Sequence, residues 1–363
     1  HYLLESLAVL VRAVCKGQTE AAEFEALLFP PFQSVLQLDV VEFAPYVFQI
    51  LALLLGYRTS ISQAYGTLLP PLLHPSLWER RGNVPALAQL LEAYLAVGPE
   101  VILDTNSLEP MLGVFQKLLA SKLHEPHAFA LLMSLYLRIT PPERLEAYLP
   151  TVFKLLLTRL QHHRDRASLV HKFFAFCGLV AGKRGPAYLV QAIDGAAASP
   201  GLAAQLLANV VVPTLVQTPV FSSKRDAKFA AVGLCRLLCE AKLFDGDALT
   251  QALASLLGLV KANDVGQLVT VQQQNGGGNG LATEDDDDAH FGGAADYDAA
   301  FSQLSFGAKS SQDDAFAADV PDLSAYVQSS LQNLVAAQPN IQPIVQAAHT
   351  HPASHPKLDT TRH

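Results

Sequence analysis

His162-His163 and His171 are side chains whose type and clustering could suggest acid–base or metal chemistry. They stand among Arg164, Asp165, Arg166 and Lys172, a polar helix junction, which reads as a solvated surface rather than a base or a ligand set. Cys235 and Cys239 are one helical turn apart, but no second Cys or His pair stands nearby to complete a zinc site. With Cys15 and Cys177 they lie in apolar stretches without framework spacing, so reduced core thiols of a cytosolic or nuclear protein are expected. Gly276–Gly280 has no strand before it and no Lys-Ser or Lys-Thr after it, so it reads as a linker and not a phosphate loop. No Ser/His/Asp or Cys/His arrangement carries a local signature of catalysis. The expectation is a protein that is not an enzyme and that needs no metal or cofactor.

Two features point to recognition instead. Glu284, Asp285, Asp286, Asp287 and Asp288 form an unbroken acidic run. It is either a solvated tether or an electrostatic arm for a basic partner, since clustered carboxylates speed encounter with positive surfaces. Trp78, Arg80 and Arg81 sit at a helix junction, where Trp78 is expected to be exposed and the arginines either pair locally or anchor an interface. These eight residues are the candidate partner-binding set. Charge is uneven along the chain: Ala282 to Asp322 holds eleven acidic residues and one lysine, which accounts for the net charge of −8. The remainder is close to neutral, so no basic surface for nucleic acid is expected.

The elements that must position these residues are helical. In the stretch from Leu77 to Leu91, Gly82 can close one helix in a left-handed conformation, Asn83 can cap the next, and Pro85 falls in its first turn. Leu87, Leu90, Leu91, Tyr94 and Leu95 then recur at helical spacing. Pro45, Pro110 and Pro150 open apolar helices in the same way. Pro45 and Pro85 are 40 residues apart, as are Pro110 and Pro150, a period that with two helices per unit marks HEAT or armadillo repeats. No stretch alternates with period two, so no strands are expected. Half of the residues are hydrophobic and only 16% charged, as suits stacked helix pairs that bury faces on both sides.

Further helices are expected over 3–15, 24–38, 40–57, 62–73, 126–138, 168–181, 187–193, 202–212, 224–241 and 248–261, with a final pair over 322–337 and 341–348. Pro30-Pro31 should kink or split the second, Pro70-Pro71 should break the one over 62–73, and a loop should connect Leu95 to Pro110. The organisation follows: a HEAT-repeat array over 1–262, a flexible Gly-rich and acidic loop over 263–299, last HEAT-like helices over 300–348, and a frayed tail over 349–363. The chain opens in mid-pattern at His1-Tyr2-Leu3, with no initiator methionine or basic n-region, as though it begins inside a longer one. Gly195 to Ser223 carries no charge, but Pro200, Pro213 and Pro219 interrupt it. No clean run of about 18 apolar residues remains, so a soluble protein without membrane insertion is expected.

Several stretches resemble one family. Leu77-Trp78-Glu79-Arg80, Gly82-Asn83-Val84-Pro85-Ala86-Leu87 and Leu112-Gly113-Val114-Phe115-Gln116-Lys117-Leu118-Leu119-Ala120-Ser121-Lys122 are similar to the C-terminal half of the CAS-type exportins, of the importin-β/karyopherin class. So are His1-Tyr2-Leu3, Pro45-Tyr46-Val47-Phe48-Gln49, Ala231-Val232-Gly233-Leu234, and Tyr297 with Ala300 to Lys309. The matches run in order from residue 1 to about 335, while the Gln272–Gly280 insert and Pro339–His363 depart from the family pattern. The resemblance implies an all-α HEAT-repeat superhelix, a solenoid of antiparallel helix pairs, that carries cargo through nuclear pores. It implies as partners importin-α, returned to the cytoplasm, Ran-GTP, gripped mainly by repeats missing from this chain, and the FG-repeat proteins of the pore. Shuttling between nucleus and cytoplasm is implied as well. The other reading of the same pattern is a structural HEAT-repeat scaffold subunit.

Overall fold

The computed structural model describes residues 1–264, 302–305 and 320–354, and among these every regular element is helical. They form two compact units, each a stack of helix pairs of the HEAT type.

The first unit is His1–Arg144 with residues 302–305. Its helices are α1 (Tyr2–Val14), α2 (Gln18–Gln37), α3 (Ala44–Leu55), α4 (Gln63–Leu72), α5 (Val84–Val97), α6 (Pro99–Asp104), α7 (Leu108–Ala120) and α8 (Glu125–Arg138). Helix α3 is apolar on every side, and all twelve of its residues are buried. It packs on α1, α2 and α5, and α5 packs in turn on α8, so α3, α5 and α8 run on as one packed series. Two buried tyrosines tie the layers together: Tyr65 of α4 donates to the Leu51 carbonyl at 2.8 Å, and Tyr94 of α5 donates to the Tyr65 carbonyl at 2.8 Å. Polar contacts link residues about one repeat apart, Gln18 with Thr59, Asp39 with Arg80, and the Pro75 carbonyl with Lys117.

The prolines act as read from the sequence. Pro45 and Pro85 occupy the first two positions of α3 and α5, and Pro110 the third of α7. Five local expectations are overturned. Pro70 and Pro71 do not break α4, which runs through both to Leu72. Pro30 and Pro31 lie inside an unbroken α2. The carbonyls they leave without an N–H belong to Ala26 and Leu27, both at exposed positions within reach of solvent, where the lost donor is least costly. Gly82 is not left-handed; it lies in a 3₁₀ turn, Arg81–Asn83, that runs directly into α5. Asn83 precedes α5 without a side-chain cap bond. The expected loop after Leu95 contains the short α6, led by Pro99.

The second unit is Leu145–Gln273 with Asp313–His363, of which 145–264 and 320–354 are described. After a short α9 (Glu143–Glu146) come α10 (Leu149–His162), α11 (Ala167–Arg184), α12 (Pro186–Ala197), α13 (Leu202–Leu206), α14 (Val212–Gln217), α15 (Lys224–Arg236), α16 (Gly246–Asp264), α17 (Leu323–Ala337) and α18 (Gln342–Thr350). A π-helical turn, Leu207–Val211, joins α13 to α14, and another, Leu237–Ala241, extends α15. The uncharged stretch is shared by α12 and the α13–α14 run, which meet at 100°. Both carboxylate oxygens of Asp194 hold that bend, accepting from the Gly201 and Ala203 N–H groups at 2.8 Å. Among the described residues no single helix is long and apolar enough to cross a membrane. Residues 349–354, expected in a frayed tail, instead finish α18 and close a turn over the buried Ser354, whose hydroxyl donates to the His349 and His351 carbonyls. The 265–301 stretch, with the expected Gly-rich loop, lies outside the described residues.

Helices α11 and α15 make the broadest contact of this unit, and glycines set its distance. A Cβ on Gly178 would lie 2.1 Å from the Phe229 carbonyl oxygen, and one on Gly233 would lie 2.2 Å from the Gly178 Cα. The two backbones therefore touch, and no side chain fits between them.

Gly178→Ala and Gly233→Ala should each lower the unfolding free energy by at least about 2 kcal/mol, because backbone and not a side-chain tip must move. Gly113→Ala, with open space at the position and an exposed mid-helix site in α7, should instead raise it by roughly 0.5–1 kcal/mol. Urea unfolding of the three variants checks both signs.

Candidate functional site

Trp78 is not exposed. It is 4% accessible, and its indole N–H donates to the Leu72 carbonyl at 2.9 Å, so it packs the turn between α4 and α5 rather than presenting an aromatic anchor. The reason is local: Pro75 starts a 3₁₀ turn that rolls Trp78 back over the end of α4. Arg80 takes the local reading and forms a two-pronged pair with the exposed Asp39 carboxylate. That guanidinium, by its hydrogen bonds, holds Asp39 below the usual carboxylate range. Arg81 is half-buried. The acidic run Glu284–Asp288 lies outside the described residues.

Beside this turn is a cleft of about 540 Å³ between α2 and α4. Phe29, Phe32, Leu36 and Leu68 line it, with Arg80 and Asp39 among its residues. Asn83, only 2% accessible, also borders the cleft, and its amide nitrogen has no hydrogen-bond partner.

A second site was not read from the sequence. Gln49 is the lone amide of α3 and is 5% accessible. Its Nε2 donates to the Pro45 carbonyl at 3.0 Å and to the Ser302 carbonyl at 2.8 Å, while its Oε1 accepts from the Leu304 N–H at 2.8 Å. The Glu5 carboxylate of α1 accepts from the Ser305 N–H at 3.0 Å. Ser302 and Leu304 are buried, while Gln303 and Ser305 face out. The site is finished at its α1 end by His1, whose ring stands edge-on to Tyr46 and whose Nδ1 is 3.3 Å from the Tyr46 hydroxyl. Three stretches quoted for the family resemblance thus meet here: His1-Tyr2-Leu3, Pro45 to Gln49, and the segment with Ser302. The signal available in the sequence was the amide itself, since a polar group in an otherwise apolar helix needs a partner.

The histidines divide. His162 is exposed, as read from the sequence, but His171 is buried, stacked on Phe221 at 4.3 Å between ring centroids and 3.3 Å from the Thr218 hydroxyl. Burial pulls its imidazole down to about 4, so at neutral pH it is an uncharged core residue. All four cysteines carry free thiols; Cys235 is buried, and the Cys239 thiol donates to the Ser330 carbonyl at 3.7 Å. Among the described residues no group of His, Cys, Asp and Glu is arranged to hold a metal ion.

Comparison with known proteins places this geometry in context. A family model described as CAS/CSE protein, C-terminus, matches residues 1–356. That match includes most of the stretch from Pro339 that looked unlike the family. Exportin-2 of Oreochromis niloticus is 36% identical over 324 residues, covering 86% of this chain and 31% of that protein. Exportin-2 of Danio rerio is 38% identical over 261 residues, 71% of this chain and 26% of that protein, and human exportin-2 is 34% identical over 324 residues, again 86% and 31%. A solved structure described as the exportin Cse1 in its cargo-free, cytoplasmic state aligns with TM-score 0.70 at 25% identity, over 96% of this chain and 35% of that one. The chain spans about a third of the length of the relatives it matches.

His171 makes stability depend on pH. Between about 6.5 and 4 the unfolded chain binds a proton that the folded imidazole does not. Its contribution is therefore complete above about pH 6.5 and is lost as pH falls toward 4, by roughly 3 kcal/mol at most. The urea midpoint should fall across that window, and His171→Phe, which keeps a ring against Phe221, should flatten the fall; superimposable profiles would count against the buried neutral ring.

Proposed function

The chain belongs to the CAS/CSE protein family, and from that premise we propose that it is the C-terminal, cargo-clasping part of a nuclear export receptor. The receptor returns importin-α to the cytoplasm in complex with Ran-GTP. It works by binding and not by bond-making chemistry. The observation that carries this reading is the match to exportins along nearly the whole chain. It favours a transport receptor over a structural HEAT-repeat scaffold, which would assemble without regard to nucleotide. A stack of helix pairs suits the role, because binding spread along neighbouring repeats shifts when a second ligand favours one arrangement of the stack. Ran-GTP is gripped mainly by repeats outside this chain, FG-repeat proteins serve passage through the pore, and the receptor shuttles between nucleus and cytoplasm.

Within this reading, the acidic run Glu284, Asp285, Asp286, Asp287 and Asp288 is an electrostatic arm for a basic surface on Ran or on importin-α. Arg81 remains a candidate contact at the α4–α5 turn. Arg80 serves there chiefly through its pair with Asp39.

In the full-length receptor, importin-α should be captured with Ran-GTP and not with Ran-GDP; capture indifferent to nucleotide would favour the scaffold. Replacing the five carboxylates by Ser and Asn should weaken the ternary complex about 3- to 10-fold at low salt, with the difference shrinking at high salt. Equal affinity at both salt concentrations rules out the arm while leaving the receptor reading intact.

A further inference from the structure

Gln49 sits where an amide is costly. Its neighbours along α3 are apolar and buried, so both its donors and its acceptor need partners from within the fold. One donor bond goes to its own helix, at Pro45, and the other two bonds go to residues 302–305, more than 250 positions away. Without that segment the amide would be left with the Pro45 carbonyl alone.

The way the segment is held is specific in kind. Gln49 reads the carbonyl of one residue and the N–H of the residue two further on, the pattern by which a residue in a parallel strand pairs with its neighbour. Glu5 takes the next N–H, that of Ser305. Side chains alternate in, out, in, out, with Ser302 and Leu304 buried. Three bonds to backbone and one buried leucine are the elements of peptide recognition by strand addition, here offered by side chains on two helices. Backbone bonds supply affinity whatever the sequence, and the buried positions supply selection.

We propose that the Glu5–Gln49 face is a peptide-binding seat, that residues 302–305 are its resident occupant, and that a free peptide of the same class exchanges with them. That class is a short non-helical segment with a small polar residue two positions before a leucine. The seat does not depend on the export reading, since it uses only contacts within the first unit.

The first test uses the unaltered chain. Hydrogen exchange should show the Leu304 amide protected at least tenfold over a free peptide, and excess synthetic Phe-Ser-Gln-Leu-Ser-Phe should speed its exchange at least fivefold. The same hexapeptide with proline in place of leucine lacks the N–H that Gln49 reads and should have no effect. A Leu304 amide exchanging at the free-peptide rate would remove the seat, and a protected amide that the hexapeptide leaves unchanged would overturn exchange. The second test vacates the seat by Leu304→Asp. The fluorescently labelled hexapeptide should then bind at least tenfold more tightly than to the unaltered chain, and adding Gln49→Leu should abolish the gain. Binding that ignores Gln49→Leu would overturn the assignment of the seat to that amide. Circular dichroism reports whether these variants fold; if either does not, the exchange experiment on the unaltered chain decides.

Discussion

A helix that is apolar all the way round must be covered all the way round, and the rest of this structure follows from that demand. Helix α3 has no face to give to water, so α1, α2 and α5 close on it. Helix α11, buried from Leu169 to Ala181 except at Lys172, makes a similar demand in the second unit, and α12 and α15 answer it. Stacking is the economical solution, because one hairpin's inner helix is the next hairpin's cover. Where the apolar surface is to be shut completely, the backbones themselves must meet, as at Gly178 and Gly233. Dispersion falls off so quickly with distance that a gap of even a fraction of an ångström between two helices forfeits much of their attraction.

Such a core leaves few places for polar atoms, and several of those it contains are given specific partners. Tyr65 and Tyr94 hand their hydroxyls to backbone carbonyls of neighbouring elements, and Trp78 gives its indole N–H to Leu72. His171 stays uncharged against Phe221. Gln49 is assigned to a segment distant in sequence, which makes it, with Glu5, a polar group by which the first unit holds another stretch of chain. At the outer turns, pairs such as Asp39 with Arg80 remain in water and contribute little to stability. A protein built this way has its selectivity in surfaces and seats, in keeping with its kinship to exportins.

Much of the candidate binding set could be named from the sequence but not understood there. Residue types marked Trp78, Arg80 and Arg81 as unusual, yet exposure is a property of the folded neighbourhood, and the 3₁₀ turn at Pro75 carried Trp78 inward. The same holds for Pro30 and Pro31, whose cost depends on whether water reaches the carbonyls they orphan. Gln49 was in plain view, but its partners are 253 and 255 residues away, and no local pattern encodes a pairing over that distance.

The sequence by itself determined the all-helical class, the hairpin repeat and the membership of the CAS/CSE family, because these rest on local periodicity, proline placement and short matching runs. Helical spacing is written at three to four residues and the repeat at about forty, both within reach of inspection. The tertiary structure alone decided which side chains are inside, how closely α11 and α15 approach, and where residues 302–305 dock. Those outcomes are settled by packing and by hydrogen-bond satisfaction among elements far apart in the chain, where burial turns an ordinary amide or glycine into a constraint.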